Sequence, residues 1–270
     1  MGVYAGQGDP AWSISALWRD RPAPRTQPGP KRALSLAEIV RVATEIADRD
    51  GLAGLSMRAV GERLGRTAMS LYTYVPGKNE LVDVMYDGAH AELPVAYDLA
   101  DGWRTAITAW AGDLLEFHLR HPWTVEVSFA RPVLGPHEQV VLENLAGLLR
   151  ATGLPADRVR PLVTALFHLV RGSAQTITEA RKAAEITGTP DEQWWSARSA
   201  RLIEEVPDFA GRFPESVWLS TREATGDPQP YSLEATAREA FAGGLDLLLN
   251  GLSAAIGADH PSDSGACSPG

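Results

Sequence analysis

The 270-residue sequence contains a single cysteine, Cys267, in a Ser/Gly/Pro-rich stretch near its C-terminus. One cysteine excludes an intrachain disulfide framework and a cysteine-based zinc site, and it fits a reducing compartment. Residues 1–34 lack the apolar core of a secretory signal, and no uninterrupted apolar run reaches the roughly 18 residues that span a bilayer. We therefore expect a cytoplasmic protein without a membrane partner.

The sequence also lacks the patterns of the common catalytic centres. It has no Gly-rich phosphate loop, no His-Glu-x-x-His motif and no nucleophile elbow. His118 and His121 have a spacing that two metal ligands could use, but ordinary polar roles are commoner for such a pair. We expect no enzymatic activity, no catalytic residues, no cofactor and no metal site.

Segments that alternate apolar and polar residues at strand length are missing as well, which predicts an all-α fold. Between residues 103 and 256, apolar residues instead recur at helical spacing in four stripes. Residues 206–231 contain four prolines and are predicted to be a long connection, and residues 259–270 a disordered tail.

Negative charge is in excess overall, with a formal net charge of −9, but it is unevenly distributed. Residues 19–78 contain eleven Lys or Arg and six Asp or Glu, so this stretch is basic and the rest of the chain strongly acidic. A basic module on an acidic body indicates that one end of the protein meets a polyanion.

Short helices are predicted for residues 35–90. Ser35 followed by Glu38 fits a capping box, and the apolar run that follows ends at Gly51. A second cap at Ser56 opens a helix that stops at Gly65. Two helices separated by a tight glycine turn form a candidate DNA-reading unit.

The second helix of this candidate unit covers about residues 67–74, and a further helix begins near Asn79 after a Pro-Gly break. Val60, Leu64 and Leu71 are expected to hold the helix pair together. A recognition helix needs short or polar outward residues so that its backbone can enter the major groove. The residues left facing outward have that character: Thr67, Ala68, Ser70, Thr73 and Tyr74.

Residues 55–65, Leu-Ser-Met-Arg-Ala-Val-Gly-Glu-Arg-Leu-Gly, and 69–78, Met-Ser-Leu-Tyr-Thr-Tyr-Val-Pro-Gly-Lys, resemble the DNA-binding domain of the tetracycline-repressor (TetR) family. The resemblance covers about residues 36–90. It is weaker beyond them, where it rests on residues 121–123, 142–145 and 241–249. The N-terminal arm and C-terminal layout look like those of actinomycete regulators of antibiotic export or biosynthesis. The resemblance implies an N-terminal three-helix DNA-binding domain followed by a larger helical ligand-binding and dimerisation domain.

The resemblance also implies roles for individual residues. Lys78 would neutralise a phosphate at a helix N-terminus, with a solvated surface lysine as the alternative. Arg66 would read a guanine or touch only phosphate. Other residues would contact the sugar-phosphate backbone or the base edges of DNA through polar or apolar groups. They are Arg58, Thr67, Ala68, Ser70, Tyr72, Thr73 and Tyr74.

Residues 1–33 are rich in Gly and Pro and are predicted to be a flexible basic arm. Its cations are expected to enter the flanking minor groove, with a non-specific electrostatic tail as the alternative. They are Arg19, Arg21, Arg25, Lys31 and Arg32. Trp12 and Trp18 are unusual in a disordered arm, which predicts that part of it packs on the body.

Six of the eight tryptophans lie after residue 100. They either pack in the core or line an aromatic cavity for a planar, multi-ring ligand, and the sequence leaves both alternatives open. Arg171 in an apolar helix needs a partner, which would be the ligand or a carboxylate such as Glu179. The residues expected to line the pocket are Trp110, Phe117, His121, Trp123, Phe167, His168, Arg171, Gln175 and Trp194.

These patterns together predict a homodimeric repressor that binds a near-palindromic operator in double-stranded DNA and is released by a small-molecule effector. Its domains would be the arm at 1–33, the DNA-binding domain at 34–90 and the ligand-binding and dimerisation domain at 91–258, before the tail. Three alternatives stay open: an activator or ligand-independent regulator of the same fold, a small-molecule-binding helical enzyme, and a protein-interaction module.

Overall fold

The computed structural model describes residues 3–4, 6–19, 34–128, 130–220 and 231–259. Within these residues it contains twelve α-helices, one 3-10 helix and two strands of two residues each. The predicted all-α class is confirmed. The strands β1 (Val3–Tyr4) and β2 (Val127–Ser128) pair in parallel, which joins the start of the chain to its middle.

The first helix, α1 (Pro10–Trp18), lies inside the stretch predicted to be a flexible arm. Asp9 caps it by accepting a hydrogen bond from the Ala11 amide, and Pro10 occupies its first turn, where a missing N–H costs nothing. The prediction of a mobile arm is therefore wrong for residues 6–19. Part of the arm does contact the body, since Trp12 packs on the core and the exposed Trp18 donates a hydrogen bond to Leu134. Residues 20–33 lie outside the described part.

Four helices follow: α2 (Leu36–Gly54), α3 (Met57–Arg63), α4 (Ala68–Leu71) and α5 (Lys78–His90). The predicted caps are present, because Ser35 and Ser56 each accept a backbone hydrogen bond at 3.1 Å from the residue three positions ahead. The first helical run of α2 ends at Gly51 as predicted, because its φ of 67° is not helical, and a further turn continues to Gly54. The helix expected over residues 67–74 is confined to four residues.

The remaining helices form the body of the protein. They are α6 (Gly102–Arg120), the 3-10 helix (Pro122–Val125), α7 (Pro136–Arg150), α8 (Ala156–Thr187), α9 (Asp191–Glu205), α10 (Phe209–Arg212), α11 (Pro214–Ser220) and α12 (Leu233–Asp259). The four apolar stripes fall on α6, α7, α8 and α12. The predicted connection at 206–231 contains α10 and α11, and residues 221–230 and 260–270 lie outside the described part.

One hydrophobic core runs through the described residues from α2 to α12. Helix α8 packs on both α6 and α12, and α5 packs on α2 at one side and on α7 at the other. Leu81 and Met85 of α5 are fully buried in this core. Helix α5 therefore packs on both α2 and the body, and α2 also packs directly on the 3-10 helix.

Candidate functional site

Helix α4 and its two ends are fixed by hydrogen bonds from their own short polar side chains. Thr67 Oγ1 accepts the Ser70 amide at 3.3 Å, which caps α4. Ser70 Oγ donates to the Thr67 carbonyl at 2.7 Å, and Thr73 Oγ1 donates to the Ser70 carbonyl at 2.8 Å. Gly65 makes the turn between the helices with a φ of 63°, a conformation that favours glycine.

A second glycine, Gly61 of α3, lets the backbone of α3 approach the turn that leads into α4. The sequence analysis did not single out this residue. A Cβ on Gly61 would lie 2.8 Å from the Arg66 carbonyl oxygen and 3.2 Å from the Ala68 amide nitrogen. Gly61 is buried against the turn. Its position one turn before Gly65 is the sequence signal that indicates this close contact.

The residues predicted to contact DNA lie on α3, on the turn, on α4 and just after them. Arg66, Thr67, Tyr72 and Thr73 are exposed, and Ala68, Ser70 and Tyr74 are half-buried. Arg58 is paired with Glu62 at 2.8 Å, and its side chain is 85% exposed. An exposed pair of this kind contributes little to stability, which leaves the guanidinium available to a phosphate. Met69 is 74% exposed and adds an apolar contact surface.

Lys78 lies at the first position of α5, as predicted, but its ammonium already has a partner. Lys78 Nζ donates to the Leu52 carbonyl oxygen at 2.8 Å, and burial lowers the pKa of Lys78. The side chain therefore ties the start of α5 to the end of α2. Two of its three protons remain for a phosphate.

Only one of the predicted arm cations, Arg19, lies within the described residues, where it is exposed at the C-cap of α1. Arg21, Arg25, Lys31 and Arg32 lie outside them. The segment that carries these four joins α1 to α2, so it is attached to structured elements at both ends.

The structure does not bring the nine predicted pocket residues together around one cavity. Trp110, Phe117 and Trp123 are at most 1% exposed in the core, and Phe167 packs edge-on against Trp110 at 5.2 Å between ring centroids. Three of the nine lie at the surface instead: His168, Gln175 and Trp194, of which Trp194 is 42% exposed. These three line neither of the open spaces found among the described residues, and their place in a ligand pocket stays a prediction.

Arg171 has a partner that neither sequence-based alternative named. Its guanidinium donates to the backbone carbonyls of Thr124, Val125 and Val127, at the end of the 3-10 helix. Terminal carbonyls of a short helix lack partners within the helix, and a planar five-donor group can satisfy several of them. Glu179 is bonded by Gln175. Arg171 therefore links α8 to the loop that carries β2.

His121 joins the body to α2. Its Nδ1 lies 2.7 Å from Asp48 Oδ1 and its Nε2 lies 3.2 Å from Glu92 Oε2. The Trp123 indole donates to the same Asp48 oxygen at 2.8 Å. Burial lowers the pKa of His121, but hydrogen bonds and charge from Asp48 and Glu92 outweigh burial and hold that pKa above its ordinary value.

Replacing His121 with Asn is expected to change how stability depends on pH. Because the folded-state pKa of His121 is raised, its stabilising contribution is complete below about pH 6.5 and is lost as pH rises through the folded pKa. The wild-type free energy of unfolding should therefore fall more steeply above this pH than that of His121→Asn. Urea unfolding of both proteins across a pH series measures the difference, and parallel profiles would contradict it.

A cluster of buried imidazoles lies next to this joint. His90 Nδ1 donates to the Tyr86 carbonyl at 2.7 Å, and its ring centroid lies 4.6 Å from that of Phe117. Burial lowers the pKa of His90 to about 4 and that of His118 well below its ordinary value. His118 Nδ1 is bonded to the Thr124 hydroxyl at 2.7 Å. Both rings are neutral at physiological pH, and no group of potential metal ligands occurs among the described residues.

Two open spaces adjoin these clusters. A narrow groove with no room for a water molecule lies between α6, α7 and the segment that follows α5, and it is lined by Leu93, Pro94, Tyr97, Trp110, Leu114, Val141 and Asn144. A wider cleft of about 340 Å³ lies between the end of α2 and the 3-10 helix. Its walls include Asp48, Gly51, Trp123, Glu126 and Lys182.

Comparison with known proteins gives a family match for the body and relatives that align with most of the chain. Residues 97–256 match the family described as tetracyclin repressor-like, C-terminal domain. The HTH-type transcriptional repressor DrrR1 of Streptomyces coeruleorubidus is 36% identical over 253 residues, which is 93% of this chain and 88% of the relative. An HTH-type transcriptional regulator of Saccharopolyspora erythraea is 31% identical over 192 residues, or 71% and 80% of the two chains.

Solved structures agree with these relatives. The TetR family protein ActR of Streptomyces coelicolor, in a crystal structure with actinorhodin, has a TM-score of 0.66 and 25% identity, covering 83% of this chain and 98% of ActR. The regulator SCO7222, a TetR from the same species, has a TM-score of 0.57 and 26% identity, covering 82% and 99%. The chain is thus a helix-turn-helix transcriptional repressor that belongs to the TetR family.

Proposed function

We propose that two copies of this chain form a repressor that binds a near-palindromic operator and is released by a planar, multi-ring effector. Residues 34–90 would bind DNA, and residues 91–258 would bind the effector and form the dimer. DNA as the partner implies a cytoplasmic location.

The observation that carries this proposal is the unburied apolar face of α12. The segment 233–258 is long and apolar enough to cross a membrane, yet only 17% of its most apolar window is buried. Leu245, Leu249 and Leu252 pack inward, whereas Gly243, Leu247, Gly251 and Ala254 are exposed at intervals of four, four and three residues. Such spacing makes one continuous stripe along a helix, which a second copy would cover.

Helix α8 also has a continuous exposed stripe, which is mostly polar. Its exposed residues recur at intervals of three or four: Pro161, Thr164, His168, Gly172, Gln175 and Glu179. Helices α8 and α12 already pack side by side, so two copies would meet as a four-helix interface. A dimer would present two α4 helices, and two are needed because one four-residue helix offers too few base contacts.

The effector proposal rests on the size and lining of the groove beside Trp110. Drug-sized ligands occupy about 300 to 1,000 Å³, whereas this groove is closed even to water. A multi-ring molecule would therefore have to separate α6, α7 and the segment after α5 in order to enter. Such separation favours a state that holds α5, and hence α4, differently from the DNA-bound state. The relative ActR has been crystallised with actinorhodin, which fits an aromatic effector.

Selection from random double-stranded DNA by the purified protein tests the proposal. We expect an enriched near-palindrome, and Arg66→Ala should weaken binding to it by about tenfold and relax the preference at one position in each half-site. Arg150→Ala is the matched control, since Arg150 is exposed on α7. Failure to enrich any sequence at moderate salt would overturn the DNA-reading proposal.

The effector part is tested separately with a planar tricyclic probe, anthraquinone-2-sulfonate, and with benzenesulfonate as its single-ring control. The tricyclic probe is expected to lower affinity for the selected operator and to quench tryptophan emission, and benzenesulfonate to do neither. Equal effects of the two probes on operator affinity would contradict an effector site for multi-ring molecules.

A further inference from the structure

Residues 3–4 and 6–19, called the N-terminal segment below, contact two parts of the molecule, helix α5 and the body. The N-terminal segment binds α5 through polar contacts. Gly6 N donates to Asp83 Oδ1 at 2.8 Å, and Ser13 Oγ donates to Asp83 Oδ2 at 2.9 Å. Asp9 N donates to Glu80 Oε1 at 2.9 Å. Asp83 is 1% exposed, so both oxygens of a buried carboxylate are satisfied by residues from the start of the chain.

The N-terminal segment also binds the body. The backbone of Val3 and Tyr4 pairs with Val127 and Ser128. The Trp18 indole donates to the Leu134 carbonyl at 2.7 Å, although Trp18 is 54% exposed. A tryptophan this exposed gains little from apolar burial, so the hydrogen bond is its main structural contribution.

The attachment point on the body is strained. Leu134 has a φ of 61°, and it is the only residue other than glycine with a positive φ among the described residues. A left-handed leucine costs about 1–2 kcal/mol and persists only where surrounding contacts hold it. Two hydrogen bonds do so here, from Trp18 to its carbonyl and from its amide to Glu138 Oε2 at 2.7 Å.

Helix α5 is also fixed to the body one turn further along. Asp87 Oδ1 accepts the amides of His137 and Glu138 at 2.9 Å each, which caps the N-terminus of α7. Asp83 and Asp87 are four residues apart and lie on the same face of α5. A rotation or shift of α5 against residues 127–138 would therefore strain both sets of bonds at once.

We propose that residues 3–19 act as a strap that restrains α5 against the body and so fixes the position of α4 for operator binding. The inference rests on the proposed function, because it assigns the strap to the step that couples the body to DNA. A restrained α5 lowers the conformational entropy that is lost when two recognition helices settle into successive grooves. The strap thus contributes to operator affinity through this restraint, apart from any contact that Arg19 makes with DNA.

The test uses an unlatched variant, Ser13→Ala with Trp18→Phe, which removes one hydrogen bond from each side and keeps α1. Ile14→Ala is the control, since Ile14 is 40% exposed on the same helix. Spin labels at Met69→Cys on α4 and Leu142→Cys on α7, in a Cys267→Ser chain diluted with unlabelled protein, report the distance between α4 and the body within one protomer. Operator affinity is measured on unlabelled chains.

The unlatched variant is expected to broaden the distance distribution and to weaken operator binding by about tenfold, with both unchanged in Ile14→Ala. A chain that begins at residue 20 should show the same changes to a larger degree. An unchanged distance distribution in the unlatched variant would overturn the strap proposal. So would a broadened distribution combined with an operator affinity within about twofold of wild type. Should the wild type bind no operator, the proposed function fails, and the distance measurement still reports whether the restraint exists.

Discussion

Gly61→Ala is expected to lower operator affinity on the order of 100-fold, equivalent to losing one or two base contacts per half-site. The added Cβ would lie 2.8 Å from the Arg66 carbonyl oxygen. Backbone atoms of a capped turn cannot rotate aside as the end of a side chain can, so the turn and α4 must move away from α3. The residues exposed on α4 would then no longer match the spacing of the groove.

The matched control for this substitution is Gly112→Ala, because a Cβ on Gly112 meets nothing within 4 Å. Alanine in a helix interior is more favourable than glycine by about 1 kcal/mol, so the control should be slightly more stable than wild type and bind DNA normally. Affinity for the selected operator and thermal unfolding are measured for both. Equal operator affinities for the two variants would show that α3 and the turn are less closely coupled than the backbone distances indicate.

Leu247→Asp is expected to give a monomer and to reduce operator affinity by about 10²- to 10⁴-fold, because the second half-site no longer binds as part of the same complex. Leu247 is 73% exposed on α12, at the centre of the stripe formed with Gly243 and Gly251. An aspartate there would be desolvated in the proposed interface without a partner, whereas in the monomer it remains hydrated.

Val95→Asp provides the control for Leu247→Asp. Val95 is 79% exposed on the segment between α5 and α6 and belongs to neither α8 nor α12. Sedimentation velocity gives the oligomeric state, and titration of the selected operator gives the affinity. A Leu247→Asp protein that sediments as a dimer would rule out this face as the interface. A monomer with wild-type operator affinity would rule out dimeric binding.

The DNA-reading end could be predicted from sequence because its determinants are local. Ser35 and Ser56 cap helices through bonds to residues three positions away, and Gly65 makes its turn by itself. Such signals lie within a few residues of the structure they specify. Less of the body could be predicted from sequence. Apolar periodicity located α6, α7, α8 and α12 but did not indicate which polar side chains face each other.

The parts that sequence reasoning missed depend on contacts between residues far apart in the chain. Arg171 is satisfied by carbonyls more than 40 residues earlier, which no pattern around Arg171 indicates. Helix α1 is nine residues long, a length at which an isolated helix is marginal in water. Its hydrogen bond from Ser13 to Asp83 spans 70 residues. Sequence patterns around a short helix in a Gly/Pro-rich stretch therefore predict mobility, because the residue that holds the helix lies far away in the chain.

The position of α5 has a consequence for the construction of chimeric regulators, in which the operator preference of one repressor is combined with the inducer of another. Leu81 and Met85 belong to the shared core, Asp87 caps a helix of the body, and Trp18 donates to the Leu134 carbonyl of the body. A junction placed at residue 90 would split these partners between two parents. Grafting only the exposed residues of α3 and α4 keeps these contacts within one parent. Operator preference is therefore better exchanged by substituting surface residues than by swapping a whole domain.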